Sequence, residues 1–158
     1  MSECTIEEHE ARTYAIAHRR GHYTSVPEAI DQLRAWLSEH QLASLGEPLI
    51  VYLSGSDGVD SPPDRSWEVR IPIAARPDAP PDATGVAIRR IPGELVATTT
   101  HRGSYEQAGE AYDRLLAWIA AHGAEVSGPP MESRLDDPIA AATPGGLTQI
   151  MVPIYERP

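Results

Sequence analysis

Residues 18–42, HRRGHYTSVPEAIDQLRAWLSEHQL, and residues 100–124, THRGSYEQAGEAYDRLLAWIAAHGA, are two copies of one segment. Ten of their 25 positions are identical: Arg20/Arg102, Gly21/Gly103, Tyr23/Tyr105, Glu28/Glu110, Ala29/Ala111, Asp31/Asp113, Leu33/Leu115, Ala35/Ala117, Trp36/Trp118 and His40/His122. Self-similarity at a fixed offset marks a duplicated supersecondary unit. The match runs on through Gly46/Gly128 and Pro48/Pro130, and then, after a slip of one residue, through WEVRIPI (67–73) against TQIMVPI (148–154). The fold must therefore be one that can be built twice, from repeats of about 1–74 and 85–158 joined by a linker at 75–84.

Within each copy the hydrophobic period changes in the same order. Arg12 to His18 and Glu94 to Thr100 have the β-branched and aromatic content of strands. A helix follows: Ile30, Leu33, Trp36 and Leu37 share one stripe, as do Tyr112, Leu115, Trp118 and Ile119. Ser25 with Glu28 reads as a capping box at the first helix, and Gly123 as the stop of the second. Pro48 to Ser54, Met131 to Leu135 and the two proline-bearing segments read as further strands. Cys4 to Glu8 and Val86 to Ile91 are expected to lead the repeats, the latter joined to Glu94 by a turn at Pro92-Gly93. Each half then reads β-β-α-β-β. The expected class is α+β: duplicated β-α-β-β modules, a curved antiparallel sheet with two helices, and a groove at the pseudo-twofold as the default ligand site. Three Pro/Gly-rich segments, 54–66, 75–85 and 136–146, are expected to be loops.

Composition removes whole classes of function. A chain of 158 residues with formal charge −10 lacks the clustered Lys and Arg that phosphate binding needs, so no direct nucleic-acid contact is expected. No apolar run reaches membrane-span length, and the one cysteine, Cys4, cannot form an internal disulfide; a cytoplasmic setting is expected. The six histidines fall at no metal-ligand spacing, and no nucleophile elbow or phosphate loop occurs, so neither metal nor cofactor is expected.

The R-G-x-Y at the strand-to-helix junctions (Arg20-Gly21-His22-Tyr23; Arg102-Gly103-Ser104-Tyr105), the A-x-x-x-L-x-x-W helix, the G-x-P turn and the terminal apolar-Pro-apolar strand together resemble the GyrI-like effector-binding family. The resemblance spans roughly Ile6 to Tyr155. It implies an amphiphilic pocket near the pseudo-dyad, where an acidic residue flanked by aromatic side chains meets cationic aromatic ligands. The position matching that acidic residue is Gln149, and its repeat-mate is Glu68.

The candidate ligand-binding residues are Glu68, Gln149, Trp67, Tyr23, Tyr105, Met151 and Tyr112. For Glu68 two readings stand, a pocket carboxylate or an exposed pair with Arg70 on its own strand face. Tyr23 and Tyr105 read either as core with the hydroxyl at the edge or as ligand contacts. Trp36 and Trp118 read as core. The expected function is a stand-alone binding protein for amphiphilic, cationic or aromatic small molecules, serving sensing or sequestration, since no helix-turn-helix pattern precedes Ile6. The resemblance also implies two alternatives. One is hydrolysis of cyclopropane-containing DNA-alkylating natural products, with Glu68 directing water; the other is an inhibitory interaction with DNA gyrase.

Overall fold

The computed structural model describes residues 4–21, 26–53, 66–102, 108–134 and 147–156. They form nine strands and two helices: β1 (Thr5–His9), β2 (Arg12–Arg20), α1 (Val26–Glu39), β3 (Leu49–Tyr52), β4 (Ser66–Ile73), β5 (Val86–Ile91), β6 (Glu94–Arg102), α2 (Ala108–Ala121), β7 (Ala124–Val126), β8 (Met131–Arg134) and β9 (Leu147–Glu156). Every strand pairing described is antiparallel, and the class is α+β.

The chain divides into two compact units. Residues 11–92 form one, called unit 2 (the other is unit 1), with strand order β3-β4-β2-β5 and α1 laid on it. Residues 1–10 and 93–158 form the other, with order β1-β6-β9-β8, β7 also pairing β9, and α2 laid on it. The leading strands are thus exchanged relative to the sequence repeats: β1 pairs β6, and β5 pairs β2. A β5–β6 hairpin through Pro92-Gly93 does not form. Two-residue hairpins need a primed turn with positive φ at the first central residue, and proline fixes φ near −65°.

Alternation assigns the faces. In unit 2, Trp67, Val69, Ile71 and Ile73 of β4 join Ala15, Ala17, Ile50, Tyr52, Val86 and Ile88 against Ile30, Leu33, Trp36 and Leu37 of α1. In unit 1, Ile150, Val152 and Ile154 of β9 and Ala97 of β6 pack with Ala111, Leu115 and Ile119 of α2. The α1 stripe read from sequence is buried throughout, and in the α2 stripe Leu115 and Ile119 are buried while Tyr112 and Trp118 are partly buried. Gly123, with φ of 72°, ends α2 as expected. Strand β7 was not foreseen, because three residues carry too little periodicity to read. The capping residue Ser25 and most of the segments 54–66 and 136–146 lie outside the described residues.

The recurring proline has a structural partner. Leu45 N donates to Pro72 O at 2.9 Å, and its repeat-mate Ser127 N donates to Pro153 O at 2.8 Å. β3 pairs β4 only as far as Arg70, and β8 pairs β9 only as far as Met151. Each proline therefore stands where its neighbour strand has stopped and no ladder donor is needed. Gly46 and Gly128 then lie against the proline rings: a Cβ on Gly46 would come 3.1 Å from Pro72 Cγ, and one on Gly128 3.4 Å from Pro153 Cγ.

The linker is tied down at one point. The Asp82 carboxylate accepts hydrogen bonds from the Thr84 hydroxyl and amide, from Val86 N and, at 2.9 Å, from the Trp36 indole on α1. These donors, the Thr84 hydroxyl and then the Trp36 indole foremost, hold its pKa well below the usual carboxylate range. Ala79 pairs Ile88 through two backbone bonds, covering part of the β5 edge.

Candidate functional site

The two units share one strand register, so each core position in one has a counterpart in the other. In unit 2 the row Ala17–Val69–Ile50 crosses β2, β4 and β3; in unit 1 the row Thr99–Ile150–Glu132 crosses β6, β9 and β8. One row further along, Trp67 of β4 corresponds to Thr148 of β9, and on the helices Ile30 corresponds to Tyr112. Ala17, Ile30, Ile50 and Trp67 all belong to the apolar core of unit 2. Their counterparts beneath α2 are a hydroxyl, a phenol, a carboxylate and a hydroxyl.

The three sheet residues of this patch are buried as deeply as the core they replace, and Tyr112 on α2 is partly buried. Thr148 is 1% exposed, Thr99 2% and Glu132 3%. The Tyr112 hydroxyl donates to Glu132 Oε2 at 3.0 Å, tying helix to sheet, whereas Ile30 and Ile50 both belong to the apolar core of the other unit. Arg114, on the opposite flank of the α2 stripe, donates from Nη2 to the Thr99 hydroxyl at 3.4 Å. Its Nε and the Thr148 Oγ1 are buried with no hydrogen-bond partner. Substituting polar for apolar groups at four core positions forfeits burial free energy of about 1.5–3 kcal/mol for each large apolar side chain given up. Cores do not keep such losses without a use for them.

Glu68 has a different setting. It lies on the face of β4 away from α1 and is 7% exposed, neither an open pocket carboxylate nor a solvated surface group. Arg70 donates to Oε1 from Nε at 3.1 Å and Nη2 at 2.9 Å, and Arg89 of β5 donates to Oε2 from Nη2 at 3.0 Å. Arg70 was the expected partner; Arg89 was not. Two guanidinium groups share this one carboxylate, so the cluster carries a formal net positive charge. Beside it, Ile16, His18, Ala87 and Arg89 face Asp78 to Pro81 of the linker across a cavity of about 440 Å3.

The remaining sequence candidates separate. Gln149 donates from Nε2 to the Thr98 hydroxyl at 3.1 Å, on the β9 face away from α2, the face that also carries buried Met151. Trp67 is 0% exposed in the core of unit 2, its Nε1 donating to Gly21 O at 3.3 Å. Tyr112 is at the polar patch. Tyr23 and Tyr105 lie outside the described residues. Glu132 was missed; in MESRL it looks like one solvated glutamate, and only the pairing Ile30/Tyr112 with Ile50/Glu132 across the repeats exposes it. Among the described residues no three His, Cys, Asp or Glu side chains converge as metal ligands, and no helix is long and apolar enough to cross a membrane.

A family model for the GyrI-like small molecule binding domain matches residues 2–154. No curated protein matches the sequence. Among solved structures, the C-terminal domain of EcmrR superposes with a TM-score of 0.81 at 15% identity, over 99% of each chain. Within the EcmrR–DNA complex the match covers 58% of that longer chain. A hydrolase from Listeria innocua gives a TM-score of 0.71 at 13% identity, covering 97% of this chain and 92% of that one. SAV2435 bound to tetraphenylphosphonium gives 0.55 at 11%, over 97% and 94%. Identities this low show a common fold.

Proposed function

Because the chain belongs to the GyrI-like small molecule binding domain family, we propose that it binds amphiphilic organic cations, and that the polar patch beneath α2 is where the charged end is received. The observation that carries this reading is Glu132: a carboxylate 3% exposed, hydrogen-bonded by the Tyr112 hydroxyl, at a place the sister unit fills with isoleucine. A carboxylate in low-dielectric surroundings attracts a soft, poorly hydrated cation far more than it would in water. The tetraphenylphosphonium carried by SAV2435 is a molecule of that kind. Sensing or sequestration both follow from such binding.

Titration calorimetry with tetraphenylphosphonium tests the reading. Glu132→Gln is expected to weaken binding roughly tenfold or more, as loss of one partner of a buried charge pair does, while Glu68→Gln leaves it unchanged. Equal affinity in wild type and Glu132→Gln sinks the proposal.

The same pair supports a second reading, hydrolysis of a cyclopropane-bearing electrophile. A buried carboxylate oriented by a phenol at 3.0 Å is suited to take a proton from water as the water oxygen bonds a ring carbon and the ring C–C bond breaks, its electron pair passing into a conjugated carbonyl of the substrate. In that case Glu132, not Glu68, is the base. Turnover that survives Glu132→Gln rules it out.

A further inference from the structure

The patch under α2 has a second pole that a simple cation leaves unused. We propose that the ligand carries, besides its cationic or donating end, a hydrogen-bond acceptor of the carbonyl type, received by Arg114 Nε and the Thr148 hydroxyl; this rests on the site assignment above. Both atoms are buried and have no hydrogen-bond partner, and Thr148 as a whole is 1% exposed. A donor in that state is one that a ligand acceptor would complete.

The layout sets the spacing. Thr99, against which Arg114 rests, and Glu132 stand in one row on strands β6 and β8 with Ile150 of β9 between them. Two strand spacings place the poles about 9–10 Å apart. Thr148 lies on the middle strand one same-face position beyond Ile150, about 7 Å along β9 from that row, so Ile150 floors the span and Thr148 flanks it. The sister unit has no counterpart to this pole: Gln32 holds the Arg114 position and donates to Glu28 on the exposed face of α1, and Trp67 fills the Thr148 position. A site with a carboxylate at one end and a guanidinium at the other selects dipolar amphiphiles over plain lipophilic cations, because an acceptor-free ligand leaves Arg114 Nε unpaired.

The test compares two cations of equal length, (4-carbamoylbutyl)triphenylphosphonium and hexyltriphenylphosphonium, by titration calorimetry. The carbamoyl probe is expected to bind wild type roughly tenfold more tightly despite its greater hydrophilicity, the scale of one charge-assisted hydrogen bond. Thr148→Val, which is isosteric, and Arg114→Met, which keeps the aliphatic stem, are each expected to erase most of that preference, read as the ratio of the two probes' affinities within each variant. Thr148→Val is also expected to raise the melting temperature of the ligand-free protein, since it removes an unsatisfied hydroxyl. A wild-type protein that binds both probes equally, or a preference that survives both variants, overturns the inference. If the hexyl probe binds and loses affinity in Glu132→Gln, that failure is of the acceptor pole alone. Failure of both probes to bind overturns the cation site and this inference together.

Discussion

Glu68 and Glu132 are both carboxylates with less than a tenth of their surface exposed, and their partners separate their roles. Glu68 holds two guanidinium groups across β4, β2 and β5 and acts as a structural clamp. Glu68→Gln is expected to destabilise by about 1–3 kcal/mol, the cost of weakening buried charge-assisted bonds, with the urea midpoint as readout; an unchanged midpoint contradicts the clamp. Asp82 gives a pH-dependent counterpart. Its pKa is depressed in the folded chain, so its stabilisation is fully present above the unfolded value near 3.9 and is lost as pH falls below it toward the folded pKa. The stability difference between wild type and Asp82→Asn is expected to shrink as denaturation is followed from pH 6 down to pH 2; a constant difference contradicts the linkage.

At the scale of elements, the duplication shows which local devices the fold requires twice. Gly46 against Pro72 and Gly128 against Pro153 are one device: proline ends the ladder and glycine lets the returning chain close on its ring. Gly46→Ala, with its Cβ 3.1 Å from Pro72 Cγ, is expected to cost about 1 kcal/mol, more than Gly128→Ala, where the approach is 3.4 Å. Equal thermal shifts contradict that ranking. The helix C-termini carry a second device. His40 and His122 stack on Trp36 and Trp118 with centroids 3.9 and 3.8 Å apart, and their Nδ1 atoms donate to the carbonyls of those same residues. A carbonyl only accepts, so Nδ1 carries the proton. His40→Ala is expected to remove about 0.5–1 kcal/mol through the lost terminal bond, read as faster amide exchange in the last turn of α1; unchanged exchange there contradicts the cap. Elements were legible in the sequence where a period ran long enough: both helices and β5 were read closely, whereas β2 and β6 run two residues past their expected ends and β7 went unseen.

At the scale of the whole molecule, the two units share a fold and differ in what fills it. Unit 2 has an apolar core closed by Trp67; unit 1 exchanges four of the matching positions for Thr99, Tyr112, Glu132 and Thr148. Local opening should therefore require less free energy under α2 than under α1. Hydrogen exchange is expected to find α2 amides less protected than those of α1 in the free protein, and selectively protected once a cation binds. Protection equal in both helices contradicts this.

The sequence by itself determined the duplication, the helix stripes, the α+β class and the family, because each is written in spacing and residue type along a single chain. It also held the polar exchange beneath α2, legible in the alignment of the repeats yet without meaning until burial was known. Only the tertiary structure decided three things. It gave Glu68 the partner Arg89, 21 residues away on a strand two places across the sheet. It exchanged the leading strands between the units, because Pro92 forbids the hairpin that spacing suggested. It buried Glu132 against Tyr112, because strand register, set by the alternation of distant apolar residues, decides which face of β8 lies under the helix.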